Sequence, residues 1–336
     1  MKKLKMLVLT DHTNHSSENS LYPLVQAMRK DPRCICIDVA TRGNKENDFF
    51  FNSKTSNAIS VTSVDESFSF TESGSAFKSC SLVSTKDYDV IWLRMPPPLS
   101  LEFSIFLSQE FEDKLVINNP AGIHETGSKQ FLVNFPEICP PMRICYTVKD
   151  IIEFKSQFPI VLKPLREYGG KGIVKIDGEQ VWNGKEEMTF TDFSKKLKNG
   201  RTVYLGVKFL KNVKEGDKRI VVINGEIMGA SLRLPPADSW ICNVAMGGRS
   251  SDTNVSPEEV AIVKRINPTL VKMGILMYGV DTLVSDDGKR VLSEINTTSI
   301  GGLPQIARIK GEPLLEKATK LFWNYITEKT NINVIN

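Results

Sequence analysis

Apolar residues come in short strand-length runs along most of the chain. The run 6–10 is followed by a polar loop, and Leu21, Leu24, Val25 and Met28 then recur at helical spacing. Residues 34–39 read as a second strand, so the opening is β-α-β and predicts an α/β domain with a parallel sheet. Residues 41–86 break the pattern. They are rich in Ser, Thr, Asn and Lys with scattered Phe, and read as a long, mobile excursion or a β-ribbon. Strands resume at 89–93 and 115–118, giving a first domain over 1–120.

Beyond it, a short helix is predicted at 128–135, a strand at 142–146, and a helix at 148–156 with Thr147 as its N-cap. Strands at 160–162 and 172–176 flank a glycine-rich loop, and 203–210 is strand-like. Asn224-Gly225 supplies the positive φ values of a tight hairpin turn between 219–223 and 226–231. Ser256-Pro257-Glu258-Glu259 is a capping box with proline at the first helical position, opening a helix to about Met273 that kinks near Pro268. A hairpin over 278–296 and a helix over 313–327 close the chain. The remaining division is a central lobe at 121–200 and a C-terminal lobe at 201–330.

The last hairpin carries the most specific chemistry. With Asp287-Gly288 as a two-residue loop, Asp286 faces Lys289 and Asp281 faces Glu294, and Asn296 points to the same side. Two carboxylates directly opposite one another repel, and the flanking Val280, Leu283, Leu292 and Ile295 make the patch partly dry. Such a pair holds a proton or a cation. An all-oxygen set of Asp, Glu and Asn suits Mg²⁺ or Mn²⁺, which usually also bridges to phosphates.

Lys163 ends the apolar run 158–162, where a buried ammonium needs an anion. The loop with Gly169, Gly170, Lys171 and Gly172 follows at once, and its free backbone N–H groups suit phosphate oxygens. It matches neither the P-loop nor the dinucleotide-binding glycine pattern. Asp217, Arg219, Arg233, Asn243 and Gly247-Gly248-Arg249 recur in polar stretches downstream. Arginines around a metal and phosphates stabilise charge in phosphoryl transfer.

Composition narrows the class. Net charge is +4, from 43 basic and 39 acidic residues without a basic stripe, which argues against a nucleic-acid binder. Six cysteines without a C-x-x-C pair and three histidines argue against a zinc ribbon or a His-rich metal site. The initial apolar run is too short for a signal peptide or a membrane span, so a cytoplasmic protein is expected, with no membrane partner.

The ordered motifs LRMPPP at 93–98, INNPAG at 117–122, VLKPLREYGGKGIV at 161–174, GDKRIVVINGE at 216–226, LRLP at 232–235, NVAMGGR at 243–249, YGVDTL at 278–283 and EINTTSIGG at 294–302 resemble the ATP-grasp superfamily. Within it they are most similar to the bacterial-type glutathione synthetase family. The resemblance implies an ATP-grasp fold behind a Rossmann-like pre-ATP-grasp domain. It also implies an ATP-dependent ligase acting through an acyl phosphate on a dipeptide and an amino acid, γ-glutamylcysteine and glycine. By the same resemblance Lys129 and Lys163 contact ATP phosphates, Gly169, Gly170 and Gly172 close over them, and Val207, Lys208, Phe209 and Leu210 meet adenine. Asp217 contacts the nucleotide. Arg219, Arg233, Asn243 and Arg249 surround the γ-phosphate and acyl phosphate, with Gly247 and Gly248 on the substrate side. Asp281, Glu294 and Asn296 hold Mg²⁺, and Arg94 lies near the acceptor peptide. Homo-oligomers are common in the family. The stretch 240–243 lacks the family's arginine, and Val207-Lys208 replaces its usual Gln and acid or amide. A ligase extending another peptide or protein tail therefore stays open beside this reading, as does a non-catalytic nucleotide binder.

Overall fold

The computed structural model describes residues 3–54, 58–97, 99–184, 186–198, 203–236, 249–310 and 313–332. The first sheet contains β1 (Leu4–Thr10), β2 (Cys34–Thr41), β3 (Ile59–Ser63), β4 (Ser81–Val83), β5 (Val90–Arg94) and β6 (Leu115–Ile117), in the order β4-β3-β2-β1-β5-β6. β2, β1, β5 and β6 are parallel, as the β-α-β opening predicts. Helix α1 (Leu21–Arg29) buries Leu21, Leu24, Val25 and Met28, the residues that recur at helical spacing. The polar excursion is an ordered extension of this sheet. β3 and β4 add antiparallel strands at its edge, after the short α2 (Asp48–Phe51). Its scattered phenylalanines Phe50, Phe68 and Phe77 are buried from α2, a loop and a 3₁₀ turn, segments too short to show a period.

The helices unread in the sequence include α2, Phe190–Lys198, Leu303–Lys310 and the two that flank β6. α3 (Leu101–Glu110) is capped by Ser100, whose hydroxyl accepts from Phe103 N at 3.1 Å, but its apolar residues form no single stripe: Phe103, Phe106 and Leu107 are buried while Leu101 and Ile105 are exposed. α4 (Pro120–Thr126) starts at Asn119, with proline in its first turn. Asn118 beside it ties the two ends of the molecule together. Its amide donates to the carbonyls of Met277 (2.7 Å) and Thr297 (2.8 Å) and accepts from Leu276 N and Met277 N. The expected helix at 128–135 is a 3₁₀ turn over Lys129–Asn134.

The central sheet is antiparallel. It contains β7 (Met142–Cys145), β8 (Ile160–Pro164), β9 (Val174–Asp177), β10 (Gln180–Asn183), β11 (Glu186–Thr189) and β12 (Tyr204–Lys208), ordered β11-β10-β9-β8-β12-β7. α5 (Val148–Lys155) begins at a capping box of Thr147 and Asp150, and α6 (Phe190–Lys198) packs beside it. β12 falls past residue 200, yet it lies between β8 and β7. The central sheet therefore extends across the boundary that the sequence suggested.

The third sheet is also antiparallel. It contains β13 (Asp217–Ile223), β14 (Glu226–Leu234), β15 (Arg249–Thr253), β16 (Met277–Val284) and β17 (Arg290–Asn296), ordered β15-β14-β13-β16-β17. Asn224 (φ 51°) and Gly225 (φ 80°) make the predicted tight turn. α7 (Pro257–Lys272) opens on the predicted capping box and continues through Pro268. After α8 (Leu303–Lys310), α9 (Leu314–Ile332) returns to pack on α1, where Trp323 Nε1 donates to Met28 O at 3.1 Å. Among the described residues no helix is long and apolar enough to cross a membrane.

The last hairpin departs from the simple expectation in two places that cancel. Ser285 N donates to Lys289 O at 2.8 Å and Gly288 N to Ser285 O at 3.0 Å, so the loop has three residues, with Gly288 at φ 84°. Near the turn Val284 therefore faces Arg290, one residue away from the expected register. Between Asp281 and Thr282 the ladder slips back, leaving Ser293 as the extra residue of a bulge. Asp281 faces Glu294 after all.

Candidate active site

A cleft of about 380 Å³ lies between the central and C-terminal sheets. Its floor is one face of β13, β14, β16 and β17. Asp217 and Arg219 share that face by strand alternation, and their cross-strand partners are Arg233 and Asp281. Arg219 grips Asp281 with two hydrogen bonds, one of them Nη2 to Oδ2 at 2.8 Å. Arg233 grips Asp217 the same way, at 2.6 and 2.7 Å, and reaches Asp281 Oδ2 at 3.0 Å. Asn296 donates to the same oxygen at 3.2 Å. Burial alone would raise the Asp281 carboxyl, but Arg219 and Arg233 outweigh it and hold the group well below the usual carboxylate range. Asp217 moves the other way. Burial and the Asp281 charge raise it against the pull of Arg233.

Asp281, Glu294 and Asn296 line the cleft together, as the hairpin geometry predicts. The donors are all hard oxygens, of the kind that suits Mg²⁺ or Mn²⁺; Glu294 keeps a side chain 30% exposed, whereas both Asp281 oxygens are held by Arg219 and Arg233. Among the described residues no group of three or more His, Cys, Asp or Glu offers an alternative metal centre.

The roof comes from the central lobe. Lys163, at the end of β8, points down to Ser293 Oγ at 3.3 Å. Burial lowers its ammonium below the ordinary lysine range, and Glu294 partly offsets this. Lys129 stands 3.6 Å from Glu294 Oε1, donates to Glu167 O, and lies over the Tyr168 ring. It borders a small side cavity shared with Lys163, Gly169, Gly170 and Glu294. Gly169 (φ 69°) and Gly170 (φ 79°) line the main cleft in a backbone region that glycine favours. Gly172 has φ 68° but lies outside the main lining, against Pro164. Val207, Lys208, Phe209 and Leu210 form the far wall, where Lys208 Nζ meets Asp286 at 2.7 Å across the lobes.

Not every expected residue reaches the cleft. Arg94, expected near the acceptor peptide, is 3% exposed and does not line it. Its Nη2 donates to Ser20 Oγ at 2.7 Å and to Ile300 O at 3.2 Å, and burial pushes it down to about 10. It braces the wall from behind, because β5 ends beneath the loop that follows Asn296. Arg249 opens β15 opposite Leu234. Asn243, Gly247 and Gly248 lie outside the described residues. Sequence reading missed Ser293, Tyr168 and the wall Thr298, Ser299 and Ile300. Simple alternation hides Ser293, since only the bulge lets it and Glu294 both line the cleft.

Residues 128–311 match the family described as the ATP-grasp domain of prokaryotic glutathione synthetase. The glutathione synthetase of Bradyrhizobium diazoefficiens is 32% identical over 246 residues, 72% of this chain and 74% of that one. That of Rhodopseudomonas palustris is 32% identical over 252 residues, 74% and 75% of the two chains. In fold the chain is similar to the crystal structure of D-cycloserine synthetase DcsG, with a TM-score of 0.63 at 12% identity over 96% of this chain and 99% of that one.

Proposed function

This chain belongs to the prokaryotic glutathione synthetase family, and from that premise we propose that its cleft joins γ-glutamylcysteine to glycine while ATP becomes ADP and phosphate. The activity is ATP-dependent glutathione synthesis, and the bond formed is carbon–nitrogen. One observation carries the assignment of this cleft: Lys163 from one sheet and Arg219, Arg233, Asp281, Glu294 and Asn296 from another converge on it.

The residues divide the work by position. Lys129, Lys163 and the N–H groups around Gly169 and Gly170 hold phosphate oxygens, with Gly172 shaping the loop. Val207–Leu210 receive the adenine, and Asp217 takes a nucleotide hydroxyl. The substrate carboxylate attacks the γ-phosphorus in line, releasing ADP and leaving an acyl phosphate. Arg219 and Arg233, joined by Arg249, stabilise charge on the transferring group. The glycine nitrogen then attacks the acyl carbon, phosphate leaves, and the nitrogen loses its proton. Asp281, Glu294 and Asn296 would hold Mg²⁺ or Mn²⁺, which when bound neutralises phosphate charge. Asn243, Gly247 and Gly248 are assigned to the substrate side, and Arg94 to bracing the wall at Ile300. No side-chain nucleophile is required, and water must be kept from the acyl phosphate.

The test is ADP release with γ-glutamylcysteine and glycine, each omitted in turn. Turnover should need both. The same rate without glycine would overturn the glutathione reading.

A further inference from the structure

Behind the cleft floor, on the sheet face that packs against α7, lies a buried charged cluster that the reaction does not touch. Glu259 is fully buried. Its Oε2 accepts from Ser256 N at 2.8 Å and pairs with Lys218 Nζ at 3.1 Å. Its Oε1 accepts from Thr282 Oγ1 at 2.7 Å. Arg290 Nε stands 3.9 Å away, and Arg290 Nη1 donates to the carbonyls of Gly216 (3.0 Å) and Thr282 (3.2 Å). The surrounding core is apolar, with Ile220, Val222, Val280, Leu292 and Ile262. A buried ion pair adds little over well-packed apolar residues of the same volume, so stability alone does not account for it.

Its location does. Lys218 and Thr282 face each other across β13 and β16. Asp217 and Arg219 flank Lys218, and Asp281 precedes Thr282, so each gripped residue neighbours a floor residue. Thr282 is also where the ladder to β17 slips by one. Its hydroxyl is held by Glu259 and its carbonyl by Arg290. If the register near the turn ran on unbroken, Asp281 would face Ser293, and Glu294 would turn to the opposite face.

We propose that Glu259 is a positioning residue: by gripping Thr282 and Lys218 from behind, it fixes the slip that sets Asp281 opposite Glu294. The proposal rests on the reading of those two carboxylates as the metal pair. Two variants test it. Thr282→Val keeps the β-branched shape and removes one bond, while Glu259→Gln keeps the helix cap and removes the charge. Mn²⁺ affinity in the presence of ADP, followed by water-proton relaxation, should weaken about tenfold in both, as for other groups that orient metal ligands. The kcat for ADP release should fall by a similar factor with KM for γ-glutamylcysteine unchanged. Lys218 Nζ also donates to Asn254 O at 2.8 Å, so in Glu259→Gln the ammonium keeps that bond but loses its counter-charge. Adding Lys218→Met removes the uncompensated charge, and should recover melting temperature but not Mn²⁺ affinity. Lowered melting temperature with wild-type Mn²⁺ affinity in the single variants would mean a purely structural role and overturn the proposal. A wild-type chain that binds Mn²⁺ with ADP but joins no substrates would instead overturn the reaction assigned above, and the Mn²⁺ affinities of the variants would still decide the role of Glu259.

Discussion

The C-terminal sheet carries its site residues on strands whose rear face is sealed into a large core shared with the N-terminal domain. The central sheet carries its own on a strand end and a glycine loop; one face covers a small core whose buried residues lie within 145–193, while Leu205 and Val207 of β12 join the large core. In the floor, each charged residue is placed by a cross-strand partner: Asp217 by Arg233, Arg219 by Asp281, Asp281 by Glu294. In the roof, Lys163 is placed by pairing with the apolar Leu205 rather than with a charged partner, and the glycines are placed by their loop. The walls meet through separate side-chain contacts at Ser293, Glu294 and Asp286. Backbone pairing sets geometry within a sheet, while side-chain contacts between lobes leave the spacing of the walls adjustable. On the proposed function, the floor defines the chemistry and the roof closes on it.

The largest effects are expected at the floor. Glu294→Gln should lower kcat about a thousandfold in the ADP-release assay, because the proposed metal site loses a carboxylate, while the partly exposed position leaves melting temperature nearly unchanged. Retained activity would remove Glu294 from the metal set. Arg233→Met should cost about a hundredfold in kcat and about 3 kcal/mol in urea unfolding, since it leaves two buried carboxylates short of a partner. A loss of activity without a loss of stability would show that Arg233 is not a strut of the floor.

Changes in the roof should be milder. Gly170→Val places a β-branched residue at φ 79°. It should lower kcat/KM for ATP about tenfold with little change in melting temperature. An effect as large as that of Glu294→Gln would erase the distinction between the walls. The last test needs no substitution. Burial pushes the Cys145 thiol up to about 11 and the Cys139 thiol up to about 12. A raised thiol pKa means scarce thiolate at about pH 8, so labelling in the folded protein requires opening of the surrounding core. Cys145 belongs to the central-lobe core and Cys139 to the shared core. Under native-state urea titration, Cys145 should label at lower urea than Cys139. Equal protection, read by peptide mass spectrometry, would mean that the two walls open as one unit.

What could be read without coordinates was local. The positive φ values at Asn224-Gly225, the capping box at Ser256 and Glu259, and the alternation that sets Asn296 on the side of Glu294 depend on neighbours in sequence. So did the helical face of Leu21, Leu24, Val25 and Met28. The pairing of Asp281 with Glu294 was legible too, although the route to it, a three-residue loop followed by a compensating bulge, was not. Tertiary structure decided the rest. Strand β12 joined the central sheet, and Phe50, Phe68 and Phe77 found a core in the N-terminal domain. Arg94 was drawn behind the wall, and Arg219 met Asp281 across 62 residues of chain. Turn type and side-chain facing follow from steric limits on a few adjacent dihedrals, which a short window contains. Strand order, burial and charge pairing follow from which distant apolar faces can be sealed together and which charges that sealing leaves in need of partners, and no short window contains that.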